Sequence, residues 1–217
     1  MRLNARVTEP PGPETRPPLL IAHGLFGSAR NWGGVAGRLA AGGRRVVAVD
    51  MRNHGDSPFA DRHDYPALAG DLAEALAPLG PEVDLLGHSM GGKAAMALAL
   101  AHPGPLRRLV VADIAPVPYA HSHRATLEAL RAVDLAGVTR RAQAEPRLRA
   151  GVPDRALRAF LLQSLAAGPD GARWRLNLAA LERAMPDLVG FPAMFEDGAR
   201  WAGPALFLAG SESDYLT

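Results

Sequence analysis

The 217-residue sequence has no cysteine and only one lysine, Lys93. Without cysteine there can be no disulfide, no thiolate metal site and no thiol nucleophile, and a reducing cytoplasm is the expected compartment. Because nearly every cation is an arginine, the pI near 9.5 overstates a formal charge of only +2. The arginines are scattered along the chain, so no nucleic-acid footprint is read. Long apolar runs are also missing. The longest, Ala94 to Ala101, falls far short of the roughly 20 residues that cross a bilayer. Met1 to Pro18 lacks the apolar segment of an export signal. Neither membrane nor nucleic acid is expected as a partner.

What is present is ordinary globular composition, 48% hydrophobic and 21% charged. Short apolar runs at Leu19 to Ala22, Arg45 to Val49, Val83 to Leu86 and Leu109 to Ala112 suit buried parallel strands. Segments with helical spacing lie between them: Asn31 to Ala41, Tyr65 to Leu79 and Gly91 to His102. That alternation predicts an α/β fold with a doubly wound, mostly parallel sheet. From Arg124 to Met185 the pattern becomes Ala-, Leu- and Arg-rich with helical periodicity, broken by Gly151-Val152-Pro153 and Gly168-Pro169-Asp170-Gly171, and Pro204 to Ala209 then returns to a strand. The expected organisation is a core of residues 1–116 and 189–217 with a helical lid at 117–188.

The strongest chemical signal is Gly87-His88-Ser89-Met90-Gly91, which joins a predicted strand to a predicted helix. In that setting a sharp turn flanked by small residues leaves a serine hydroxyl exposed above the sheet edge. Upstream, His23-Gly24-Leu25-Phe26-Gly27-Ser28 follows the first apolar strand, where a second oxyanion donor belongs. The backbone N–H groups of Leu25 and Met90 are the candidate donors, and His23 is expected to orient their loop. A third polar segment, Asp50 to Ser57, reads as support for the site through packing and hydrogen bonds.

These segments, with Val111-Ala112-Asp113-Ile114-Ala115-Pro116 and Trp174-Arg175-Leu176-Asn177-Leu178, resemble the α/β-hydrolase superfamily and are similar to its small bacterial esterases of the YbfF type. The resemblance implies Ser89 as nucleophile and Asp113, at a strand end, as the acid, with Glu212 and Asp214 as alternatives. Ser213 stands where superfamily members usually carry that acid, and it is a candidate partner in the acid–base network. The base should be a histidine after the last strand, yet no histidine follows His123. A C-terminally truncated form of a longer protein, with its histidine beyond Thr217, is the expected explanation. His121 or His123 is the substitute within the chain; a metal on that pair is the less favoured reading, and no metal or cofactor is expected.

The reaction implied is hydrolysis of a small-molecule carboxylic ester or thioester through an acyl-enzyme. Phe26 and Trp174 are candidate substrate contacts, and Phe160, Leu178, Leu181, Met185, Phe191, Met194 and Phe195 are candidates for an apolar acyl pocket. Carbon–carbon hydrolases and a menaquinone-pathway lyase of the same fold are the enzymatic alternatives. A catalytically inactive fold kept for binding is the alternative of another class.

Overall fold

The computed structural model of the chain describes residues 1–120, 122–191, 198–213 and 215. Its strands are β1 (Ala5–Thr8), β2 (Leu19–Ala22), β3 (Val46–Val49), β4 (Val83–His88), β5 (Leu106–Ala112), β6 (Leu165–Gly168), β7 (Gly171–Trp174) and β8 (Ala205–Leu208). Six of them form one sheet in the order β1-β3-β2-β4-β5-β8, parallel except for β1.

Alternation along each strand sends side chains to two apolar layers. On one face Leu19, Ile21, Val46 and Ala48 pack with Ala36 and Ala40 of α1 (Gly33–Ala40). On the other, Leu20, Ala22, Val47, Leu85 and Val111 pack beneath α2 (Tyr65–Leu76) and α3 (Met90–Ala101). Asp64 starts α2 by accepting the Ala67 amide at 2.9 Å, and Pro66 sits in the first turn, where its missing N–H costs nothing. The sheet is therefore wound on both sides, as the sequence predicts.

The segment expected to act as a lid holds α4 (Arg124–Ala132), α5 (Arg141–Leu148), α6 (Arg155–Leu161) and α7 (Leu178–Val189) around an apolar cluster that includes Leu127, Leu130, Leu148, Leu161, Leu165 and Leu181. It is not wholly helical. Strands β6 and β7 form an antiparallel hairpin, and Gly168-Pro169-Asp170-Gly171, read from sequence as a break between helices, makes its turn. Strand β1 was also not predicted; it runs antiparallel to β3 at the sheet edge.

The last turn of α7 is fastened to the core. Its carbonyls at Leu188 and Val189 accept from the Tyr65 hydroxyl at 2.7 Å and the Tyr119 amide at 2.9 Å. Lys93 Nζ donates to Val189 O at 3.1 Å and also to Gly190 O. A cation suits these carbonyls at a helix C-terminus. Buried beside the Tyr119 ring at 4.6 Å, Lys93 has its pKa pushed down to about 8 by desolvation. The sole lysine thus anchors the lid's return to the helix that follows Ser89. At the far edge, β8 is exposed along its length, with Phe207 46% accessible.

Glycine is required where α3 starts. A Cβ on Gly91 would stand 2.4 Å from the Ala22 carbonyl oxygen, whereas one on Gly70, within α2, would meet nothing within 4 Å. Gly91→Ala should therefore destabilise the fold by several kcal/mol through backbone overlap. Gly70→Ala should stabilise it by about 0.5–1 kcal/mol through helix propensity. Urea midpoints of both variants check the pair, and equal effects would contradict the packing described.

Candidate active site

The sheet register brings the candidate residues together. Ala22 of β2 lies beside Gly87 of β4, and His88 lies beside Ala112 of β5, so the loops that follow these strands emerge abreast. The Ser89 amide donates to Ala112 O at 2.9 Å and the Asp113 amide to Leu208 O at 2.7 Å. Because β2 has β3 on one side and β4 on the other, the crevice beyond these strand ends is the place where open α/β sheets bind ligands.

Four non-glycine residues at this edge have positive φ: Ser89 (51°), Asp113 (58°), Phe26 (63°) and Asn53 (65°). Such backbone costs about 1–3 kcal/mol per residue and clusters at functional sites. The loop after β2 lies directly against Ser89, since a Cβ on Gly24 would come 3.1 Å from the serine Cβ. Ser89 opens onto two cavities. One is a small, mainly apolar space of about 30 Å³ walled by Leu25, Met90, Ile114, Met185 and Leu188 among others. The other is a cleft of about 430 Å³ bounded by His23, Trp32, His88, Asp113 and Phe160 among others. Leu25, His123 and Tyr215 line both.

Two buried histidines fix the loop after β2 to the loop after β3. His23 Nδ1 donates to Gly24 O at 2.8 Å while Nε2 accepts the Met51 amide at 2.9 Å. His54 works in the opposite direction: its Nδ1 donates to Arg52 O at 2.9 Å and its Nε2 accepts the Phe26 amide at 3.2 Å. Both rings are therefore neutral, with the proton on Nδ1. Asp50, also buried, accepts from the Ala29 amide at 2.7 Å, the Asp56 amide at 2.9 Å and the Asn4 side chain at 2.8 Å. The same loop grips the lid: Asn177 N donates to Asn53 O at 3.0 Å, and Gly55 N donates to Arg175 O at 2.8 Å.

The remaining candidates divide. Asp113 lies at the cleft, and its Oδ1 is 3.5 Å from the Gly210 amide. Ser213 is brought to the same corner, where its Oγ accepts the Tyr215 amide at 3.2 Å. Glu212 is exposed, while Asp214 and His121 lie outside the described residues. His123 stands at the start of α4, its Nε2 3.4 Å from Tyr215 Oη and its ring against Phe26. His88 lines the cleft beside Ser89; burial lowers its pKa and the Asp113 charge opposes that shift.

Two expected substrate contacts stand apart from these cavities. Phe26 is buried in the lid cluster, and Trp174 packs against that cluster with its indole N–H on Leu130 O at 3.0 Å; neither lines a cavity at Ser89. Of the expected acyl-pocket residues, Met185 and Phe160 do reach the cavities, Leu178 and Leu181 pack within the lid, Phe191 packs on the core, and Met194 and Phe195 lie outside the described residues. Sequence reasoning missed Tyr119 and Tyr215, isolated tyrosines with no motif around them, and gave Lys93 no role although its being the only lysine was a signal.

The fold and this arrangement at the strand ends define an α/β hydrolase, and residues 17–191 match the model of the alpha/beta hydrolase fold family, to which the chain belongs. Over 219 residues it is 36% identical to Esterase YbfF of Escherichia coli K12, covering all of this chain and 83% of that protein. It is 40% identical over 208 residues to the sn-1-specific diacylglycerol lipase ABHD11 of Danio rerio, covering 92% of this chain. The chain spans only 65% of that relative's length. Among solved structures, a marine microorganism esterase superposes with a TM-score of 0.88 at 35% identity, over the whole chain and 83% of its own.

The buried histidines make a pH prediction. Burial lowers His23 and His63 to about 4 and pushes His54 well below its usual value. Below pH 6.5 the unfolded chain binds protons that the folded one refuses. Stability is thus full above that pH and falls as pH drops toward 4, by up to about 1.4 kcal/mol per pH unit for each histidine. Urea midpoints between pH 7 and 5, above the range where carboxylates titrate, should fall steeply. A flat profile would contradict the neutral, buried assignment.

Proposed function

We propose that this chain carries the nucleophile, acid and oxyanion donors of a serine esterase that cleaves carboxylic esters or thioesters through an acyl-enzyme. The observation that carries the reading is Ser89. It stands on a positive-φ turn at the start of α3, between two cavities and abreast of Asp113. In this reading Ser89 Oγ attacks the acyl carbon, and the Leu25 and Met90 amides receive the developing oxyanion. Neither amide donates to a protein acceptor among the described residues, which suits that task. Asp113 sets the tautomer of the base and stabilises its charged form. His23 contributes by holding the loop of Leu25, and Ser213 by supporting the corner of Asp113.

The base is a histidine on a segment beyond Thr217, in keeping with a chain that spans 65% of the zebrafish relative and 83% of YbfF. A second reading places the base within the chain: His123 lines both cavities with Ser89. The relatives' names, esterase and diacylglycerol lipase, support an ester substrate. The small apolar space of about 30 Å³ holds only a few heavy atoms, since a single water already needs about 10–15 Å³ on this measure. An acyl chain seated in this smaller space must therefore be short.

A chain extended past Thr217 to the length of its relatives should hydrolyse p-nitrophenyl acetate and butyrate faster than the octanoate. Ser89→Ala should lower turnover by up to ~10⁶ and Asp113→Asn by up to ~10⁴. Steady-state rates check the ranking, and undiminished turnover in Ser89→Ala would end the serine mechanism. The 217-residue chain should show only near-background hydrolysis, as expected when the oxyanion donors act without a base. Equal rates for the two lengths would transfer the role of base to His123.

A further inference from the structure

The lid has a second concavity, of about 720 Å³, on whose wall Arg30, Arg140, Arg141, Arg173 and Arg175 converge, with Asp170 as the acid among them. Scattered in sequence, these arginines come from three elements: the 3-10 turn Ala29–Trp32, the start of α5, and strand β7 with the residue following it. Five cations against one carboxylate leave this wall positive. Local folding preferences do not explain the cluster. Arg140 and Arg141 occupy the N-terminal end of α5, where the helix dipole disfavours positive charge.

Internal carboxylates pair with only two of the five arginines among the described residues. Asp56 accepts from Arg175 Nη1 at 2.9 Å and lies 3.7 Å from Arg30. Arg140, Arg141 and Arg173 form no ion pair among the described residues, and Arg175 Nε is buried without an acceptor. Arg141 is instead held in place by backbone, its Nε donating to Leu165 O at 2.8 Å. Planar guanidinium forks that lack carboxylates match phosphate oxygens, and several forks on different elements match more than one phosphate. The arginines share one shallow concavity, so a single small polyanion can meet several of them.

We propose that this concavity is a binding site for a small molecule bearing a diphosphate group. The 3-10 turn places it next to the Ser89 cleft, because Arg30 faces the basic concavity while Asn31 and Trp32 line the cleft. Asn31 Nδ2 also donates to Gln163 Oε1 of the lid at 2.6 Å, so the shared wall is tied at both sides.

The test is calorimetric titration of the 217-residue chain with pyrophosphate and with orthophosphate, alongside cosedimentation with phosphatidylglycerol vesicles. Pyrophosphate should bind at least tenfold more tightly than orthophosphate and weaken as salt rises. Arg140→Ala/Arg173→Ala should lose at least tenfold in pyrophosphate affinity at unchanged melting temperature, since both side chains are exposed. Arg140→Lys/Arg173→Lys, which keeps the charge and removes the fork, should recover only part of it. Absence of pyrophosphate binding, or unaltered binding in the alanine pair, overturns the proposal. Vesicle binding without pyrophosphate binding also overturns it and makes the face a lipid-docking surface.

Discussion

The backbone at Ser89 sits at φ 51°, ψ −118°, a conformation that an L-residue adopts only when its surroundings leave no alternative. Much of the fold supplies that constraint. Strand β5 receives the Ser89 amide, α3 begins at once and takes the Ser89 carbonyl through the Lys93 amide at 3.0 Å, and Gly91 lets the new helix touch the end of β2. A side chain at Gly87 or Gly91 would occupy space already filled by backbone. The strain at this one turn is offset by packing and hydrogen bonding across three parallel strands.

The loop at Asp50 to Ser57 extends the same constraint outward. Through His23, His54 and Asp50 it fixes the loop after β2, and through Asn53 and Gly55 it fixes the lid at Arg175 and Asn177. Rings and carboxylate here serve as fixed acceptors for backbone N–H groups in a buried interior, where an unmet donor would be expensive. At its other end the lid is held by Lys93 and Tyr65 on the carbonyls of α7. The lid is thus pinned on both sides of the cavities that meet at Ser89.

Legibility from sequence followed the range of the signal. The four inner strands of the sheet are apolar runs bounded by polar or glycine-rich turns, and the Ser89 turn is written in five contiguous residues, so both could be read locally. Strand β1 could not, because Ala5, Arg6 and Val7 are exposed at an edge and carry no buried pattern. The β6–β7 hairpin is built from small residues, Leu-Ala-Ala-Gly and Gly-Ala-Arg-Trp, which imitate a helical stretch. Trp174 was assigned to substrate on its aromatic character, which serves packing as well. The convergence of Arg30 with Arg140 and Arg173 is wholly tertiary and left no trace in a sequence where arginines are spread throughout.

The central claim is that the fold prepares one serine for attack. A chain extended past Thr217 to the length of its relatives, treated with a fluorophosphonate and mapped by peptide mass spectrometry, tests it directly. The account predicts a single phosphonylated residue, Ser89, and no adduct in Ser89→Ala. Modification of another residue in place of Ser89, or no modification in an extended chain that hydrolyses esters, would contradict it.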